Sequence, residues 1–159
     1  MKKITPCLWF DNQAEEAAKL YTTVFKNSKI TKITRYEDAG HEIHGKPAGS
    51  VMTVTFQLDG QPFMALNGGP MFTFNEAVSF TVNCESQQEI DHFWRELSKG
   101  GDPKAQQCGW LKDRYGVSWQ IVPAALGKLL QHKDAGKRNR VMTALLKMKK
   151  IDIKALEQA

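Results

Sequence analysis

The side chains best suited to chemistry are few and scattered in this chain. His41 and His44 stand three apart in a loop between Gly40 and Gly45. Glu42-Ile43 leaves one residue too few for H-E-x-x-H, whose two imidazoles share a helix face one turn apart. A solvated loop is the better reading. His92 sits beside Phe93 and Trp94 in a helical stretch, on its exposed side, and His132 lies in a basic tail. Cys7, Cys84 and Cys108 are widely spaced, and an odd number without C-x-x-C fits neither a disulfide framework nor a zinc ribbon. Cys7 has no evident partner base, so an inert thiol is favoured over a nucleophile. Asn67-Gly68-Gly69-Pro70 reads first as a turn and second as a row of backbone N–H groups for an anion. Asp113-Arg114-Tyr115-Gly116 is likewise a hairpin first and a site second.

These residues must be positioned by an order of elements that occurs twice. Ile4 to Phe10 reads as a strand. Asn12-Gln13-Ala14-Glu15 has the form of a capping box, and Ala14, Ala17, Ala18, Tyr21, Val24 and Phe25 follow at helical spacing. Residues 30–36 are rich in β-branched side chains. After a loop at 40–49, Val51 to Leu58 and Pro62 to Leu66 flank Asp59-Gly60, a strong hairpin signal. The order then repeats with a strand from Ala77 to Val82 and a second capping box, Ser86-Gln87-Gln88-Glu89. A helical face of Ile90, Phe93, Trp94 and Leu97 follows, ended by Gly100-Gly101. Short strands are expected at Ala105 to Cys108, Trp110 to Lys112 and Val117 to Val122. The two capping boxes lie 74 residues apart. The chain therefore reads β-α-β-β-β twice, followed by a helical tail with Val141, Leu145 and Met148 on one face. One crossover helix per half points to an α+β fold, a curved sheet with helices outside.

Composition narrows the class. The 159 residues suit one domain, and 42% hydrophobic content excludes disorder. No run of about 18 apolar residues is present, so no membrane span is expected. Met1 to Pro6 has a basic pair but no apolar region after it, which argues against a signal peptide. Free thiols fit a reducing cytoplasm. From Pro123 onward nine Lys/Arg face three Asp/Glu, while the whole chain carries +5. The basic character thus belongs to the tail. With no aromatic stacking platform or known motif beside it, nucleic-acid binding is disfavoured.

Several words in the chain are specific together. Leu8-Trp9-Phe10-Asp11-Asn12-Gln13-Ala14-Glu15-Glu16-Ala17, Ala65-Leu66-Asn67-Gly68-Gly69-Pro70 and Phe74-Asn75-Glu76-Ala77-Val78-Ser79-Phe80 are three of them. Cys108-Gly109-Trp110-Leu111-Lys112-Asp113, Gly116 to Pro123 and Met148-Lys149-Lys150-Ile151-Asp152 complete the set. In these the chain resembles PhnB-like proteins of the vicinal-oxygen-chelate (glyoxalase/bleomycin-resistance/dihydroxybiphenyl dioxygenase) superfamily, some of which carry the label 3-demethylubiquinone-9 3-methyltransferase. The resemblance implies tandem βαβββ modules at about 1–70 and 75–123 within one domain, 1–123, and a helical extension at 124–159. It also implies a homodimer and a small-molecule cup.

That superfamily holds a divalent metal with His, Glu or Gln from four strands. Carried over one by one, the positions fall near Thr5, among Phe63 to Ala65, near Ala77, and at Gln120. Only Gln120 can coordinate, so no metal ligand set and no cofactor is expected. Alternation of side chains along these strands then proposes a cup lined by Thr5, Cys7, Trp9, Phe63, Ala65, Asn67, Ala77, Ser79, Thr81, Ser118, Gln120 and Val122. Such a lining is apolar and aromatic with neutral hydrogen-bonding groups, the make-up of a binding pocket without an acid–base agent. The reading is a small-molecule-binding protein of unknown ligand. Its first alternative is a metal-dependent lyase, isomerase or dioxygenase. The methyltransferase label ranks lower, because Gly68-Gly69 precedes no helix that could cradle S-adenosylmethionine.

Overall fold

The computed structural model describes residues 3–159 and resolves into two compact units, Met1–Phe74 and Asn75–Ala159. Met1 and Lys2, part of the N-terminal segment weighed above, lie outside the described residues. The α+β expectation holds, with the strands distributed over two mixed sheets.

The first unit contains β1 (Cys7–Phe10), α1 (Ala14–Val24), β2 (Lys29–Arg35), a single turn α2 (His41–His44), β3 (Val51–Leu58) and β4 (Gln61–Asn67). The sheet order is β1-β4-β3-β2, with β1 parallel to β4 and the other pairs antiparallel. Asp59 and Gly60 both adopt positive φ, 46° and 74°, the geometry that lets a two-residue turn match the twist of its strands. The apolar stripe Ala14, Ala17, Ala18, Tyr21, Val24 is buried. It covers the sheet face that carries Leu8, Phe10, Val54, Phe56 and Ala65. Phe56 and Phe63 stack at 5.5 Å within this core.

The first capping box does not form as the sequence suggests. Helix α1 begins at Ala14 with no side-chain cap from its own segment. Glu15 pairs instead with Lys19 at 2.7 Å, one turn along the helix. The free N–H of Ala14 donates to the side chain of Asn67, 53 residues away.

The second unit contains β5 (Phe80–Cys84), α3 (Gln87–Ser98), β6 (Trp110–Lys112), β7 (Ser118–Pro123), α4 (Leu126–Leu130), α5 (Ala135–Leu146) and α6 (Ile153–Glu157). Here the capping box does form: the Glu89 N–H donates to Ser86 Oγ at 3.2 Å, and Glu89 Oε2 accepts from the Glu85 N–H. Ile90 and Leu97 of α3 are buried, while Trp94 and His92 are only half-buried. The sheet order is β5-β7-β6, with β5 and β7 parallel.

The strand expected at Ala105 to Cys108 is absent. Pro103–Ala105 forms a 3-10 turn, and Cys108 and Gly109 take positive φ, which no strand can continue. The N–H groups of Cys108 and Gly109 donate instead to the carbonyls of Met148 and Lys149, at 2.8 Å each. The tail thus satisfies the backbone that a strand would have paired.

The tail's apolar face is used within its own unit. Val141, Leu145, Ile151 and Leu156 are buried together, with Cys108, Val122 and Leu129 packed around them. Gln87 of α3 clamps the tail twice. Its Nε2 donates to the Ile151 carbonyl at 3.0 Å, and its Oε1 accepts from the Ile153 N–H at 2.9 Å. Lys150 pairs with Asp91 at 2.5 Å. These four side chains of the tail are therefore covered by their own unit, while Met142 and Leu146 stay exposed. Among the described residues no helix is long and apolar enough to cross a membrane.

Candidate functional site

Each sheet has a helix on one face, and strand alternation assigns every side chain to that face or to the opposite, open one. In the first unit, Cys7 aligns with Met64, Trp9 with Leu66, and Phe10 with Asn67. Leu8, Phe10, Phe63, Ala65 and Asn67 are buried on the helix side. Cys7, Trp9, Met64, Leu66, Thr53 and Thr55 are exposed or half-buried on the other. Cys7 and Trp9 therefore lie on the open face as expected, with Thr5 exposed just before the strand. Phe63, Ala65 and Asn67 do not. β4 stands in the opposite phase to the expected lining, and a shift of one residue exchanges the two faces. Met64 and Leu66 are as apolar as Phe63 and Ala65, so alternation carried no contrast there.

Asn67 is a structural residue. Its Oδ1 accepts from the Ala14 N–H at 2.8 Å, its Nδ2 donates to the Val51 carbonyl at 3.1 Å, and its own carbonyl accepts from Tyr36 Oη at 2.6 Å. Asn67→Ala leaves the Ala14 N–H and Val51 carbonyl unpaired. The helix end borders an open depression of about 510 Å³, so water reaches part of the gap. The expected loss is about 2 kcal/mol of unfolding free energy in a urea titration. A loss under about 0.5 kcal/mol would show that the capping role is dispensable.

The glycine turn after β4 is a support for Trp9. The Gly68 N–H donates to the Phe10 carbonyl and the Gly69 N–H to the Asp11 carbonyl. Neither N–H is left to hold an anion. Gly68 lies under the Trp9 indole, where any Cβ would overlap the ring. Trp9 Nε1 donates to the Gly69 carbonyl at 2.8 Å, and its ring meets Phe72 edge-on at 5.0 Å.

In the second unit, Phe80, Val82, Leu111, Trp119 and Ile121 face α3. The opposite face carries Thr81, Trp110, Lys112, Ser118, Gln120 and Val122, by the register of β7 with its two neighbours, and at Val122 the tail core packs against it. Ser79, just before β5, accepts from Gln120 Nε2 at 2.9 Å. Ser118 is 2% exposed, and its hydroxyl has no hydrogen-bond partner. Lys112, directly across the ladder from Ser118, is ion-paired with Glu76. The hydrogen bond from Lys112, and then one from its own backbone, hold the Glu76 carboxyl below the usual carboxylate range.

Five of the expected lining residues, Ser79, Thr81, Ser118, Gln120 and Val122, thus fall on one face. Ala77 is exposed in the segment before β5, which starts at Phe80 rather than at Ala77. Lys112, Glu76 and Trp110 escaped the sequence reading, because the carry-over followed only the four strands that hold a metal in the superfamily. The signal was available: Trp110-Leu111-Lys112 alternates about a single buried leucine.

Other reactive groups are spoken for or isolated. His44 stacks on Tyr36 at 4.5 Å, and its Nδ1 accepts from the Lys46 N–H. Asp113 is buried and accepts from the Tyr115 and Val117 N–H groups and from Trp119 Nε1. Burial, with Glu89 and Glu85 nearby, pushes the Cys84 thiol up to about 12. Partial desolvation also raises Cys7, although its residue surface is exposed, so it is a thiol at neutral pH. Among the described residues no group of three or more His, Cys, Asp or Glu could hold a metal ion. The donors on these faces are hydroxyls, one amide oxygen, a thiol and the single Glu76 carboxylate, which is ion-paired with Lys112, a poor match to the needs of a divalent cation.

Comparison with known proteins agrees with the words read in the sequence. The family model described as 3-demethylubiquinone-9 3-methyltransferase matches residues 2–122, ending within β7, one residue before its last. A solved structure from Bacillus cereus, a putative 3-demethylubiquinone-9 3-methyltransferase named as a PhnB protein, is 39% identical. The alignment covers 77% of this chain and 100% of that one, with a TM-score of 0.66. A protein from Pseudomonas aeruginosa is 20% identical over 77% of this chain and 98% of its own, with a TM-score of 0.58, which supports the fold alone. No curated protein matches the chain. On the family match and the Bacillus cereus relative, this chain belongs to the PhnB-like family whose model bears the description 3-demethylubiquinone-9 3-methyltransferase.

Proposed function

We propose that the protein binds a small polar organic molecule on the open face of the second unit's sheet, without a metal ion. The observation that carries this reading is the Ser118 hydroxyl. A buried hydroxyl with no partner costs about 1–3 kcal/mol, a cost that valine or alanine would avoid. Two residues along the same strand, Gln120 spends its amide N–H on Ser79, which leaves its oxygen to accept from a guest. The half-buried Trp110 lies across the ladder from Gln120 and supplies an apolar wall.

The metal-dependent lyase, isomerase or dioxygenase reading needs several imidazole or carboxylate donors, whereas this face holds one carboxylate, Glu76, which is ion-paired with Lys112. The methyltransferase activity in the Bacillus cereus protein's name needs a cradle for S-adenosylmethionine. The glycine turn at Gly68-Gly69 has spent its N–H groups and does not supply one. A homodimer and a cytoplasmic location stay in the reading through the family resemblance and the free thiols, and sedimentation of the purified protein tests the former.

The deciding experiment is a thermal-shift screen of small organic molecules on the wild type, Ser118→Ala and Gln120→Leu, beside metal analysis after exposure to Mn, Fe, Ni and Zn. The expected result is a set of wild-type hits lost in both variants, with bound metal far below one equivalent. Hits that survive both substitutions, or near-stoichiometric metal lost with Gln120, would overturn the reading.

A further inference from the structure

We infer that the guest of this face is a small carboxylate, and that Glu76 is its intramolecular stand-in. The inference rests on the binding reading above and adds the chemical class of the ligand.

Lys112 supplies the cation. Its side chain is 25% exposed, and Ser118, directly opposite on β7, shares its face. Residues opposed on an antiparallel ladder have Cβ atoms about 5 Å apart, so both side chains rise from neighbouring points of one face, and the flexible Lys112 stem lets its ammonium reach a group that also meets the Ser118 hydroxyl. An ammonium donates only, and a serine hydroxyl can donate. Two donors side by side, one charged and one with no partner, form a receptor for an oxyanion.

One carboxylate already touches this receptor. Glu76 pairs with Lys112 yet leaves Ser118 unserved. Its side chain is 60% exposed and arises from the segment before β5, where the Asn75 side chain accepts from the Ala77 N–H. It can therefore swing away into water at little cost. A guest carboxylate can take Lys112 and also accept from Ser118, which Glu76 does not do. One cation opposes one displaced anion, so a monocarboxylate balances the charge where a phosphate dianion would not. The amide oxygen of Gln120, one pleat further along β7, then suits a hydroxyl or N–H on the guest.

Glu76 competes with the guest for Lys112, and removing a competitor that occupies the site most of the time raises apparent affinity by the inverse of its vacant fraction. The test follows the Trp110 and Gln120 side-chain resonances by NMR while acetate, benzoate, acetamide and benzamide are titrated into the wild type, Glu76→Gln and Lys112→Met. The carboxylates are expected to bind more tightly than their amides. Glu76→Gln should tighten them about tenfold and leave the amides unchanged. Lys112→Met should abolish the carboxylate preference. Equal binding of acids and amides, or Glu76→Gln without effect, overturns the carboxylate assignment while the binding face stands. No shift of either resonance with any probe, in all three proteins, overturns the assignment as well. The organic screen on Ser118→Ala then decides separately whether the face binds anything.

Discussion

Replacing Asp113 with alanine is expected to lower the unfolding free energy by about 4 kcal/mol, the largest effect foreseen for a single substitution in this chain. The carboxylate is 2% exposed and sits in the turn between β6 and β7. One oxygen accepts from the Tyr115 N–H at 2.8 Å and the Val117 N–H at 3.0 Å. The other accepts from Trp119 Nε1 at 2.9 Å, which ties the turn to the core tryptophan of β7. Alanine leaves these three donors without their carboxylate acceptor, and two of the donor groups are in or next to the buried face of the sheet. Bonds to a charged acceptor contribute about 1.5–3 kcal/mol each, but they are lost together and do not add fully. Asp113→Asn separates geometry from charge. Its amide oxygen can keep the two backbone bonds, while its NH₂ then faces the indole N–H, donor against donor. Its expected cost is about 2 kcal/mol. Urea unfolding monitored by tryptophan fluorescence measures both. A cost under about 1 kcal/mol for alanine would show that the turn holds without the carboxylate.

Ile151→Ala is expected to cost about 3 kcal/mol, because it empties the centre of the tail's own core. Ile151 is fully buried among Val141, Leu145 and Leu156, and its side chain lies against Gly109, where an added Cβ would meet it at 2.8 Å. Gln87 holds the backbone at this point from both sides, so the site has little freedom to collapse around a cavity. Ile151→Val, which removes one methyl, should cost about 1 kcal/mol. Because the tail's backbone pairs with Cys108 and Gly109, the loss should appear in the whole second unit. Hydrogen exchange at the amides of Cys108, Gly109 and Ile121 is the discriminating measurement. Faster exchange at all three is expected, and acceleration confined to residues after Pro123 would mean that the tail is an independent appendage.

Much of the architecture was legible because its signals are local. Asp59-Gly60 demands a hairpin wherever it sits between two apolar runs, since few other residues tolerate positive φ twice in succession. Ser86 to Glu89 caps α3 because both partners lie within one helical turn. The same four-residue form at Asn12 to Glu15 does not close, because Glu15 pairs with Lys19 and a distant asparagine in β4 takes the Ala14 N–H. Pro103 and the positive φ of Cys108 and Gly109 removed a strand that residue type alone allowed.

The candidate site divides along the same line. Sequence alone decided the class of fold, the order of strands and helices over much of the chain, and the family. All of these depend on residue identity and short spacing. Tertiary structure decided which face of each strand meets the helix, and hence that Phe63 and Asn67 lie on the helix side while Ser118 and Gln120 lie on the side away from it. It also decided that Lys112 stands beside Ser118, that Glu76 covers it, and that the tail closes its own unit. Those outcomes turn on register between strands far apart in the chain. Where neighbouring positions such as Phe63 and Met64 are equally apolar, only the packing of a whole sheet against its helix can choose between two registers that differ by a single residue.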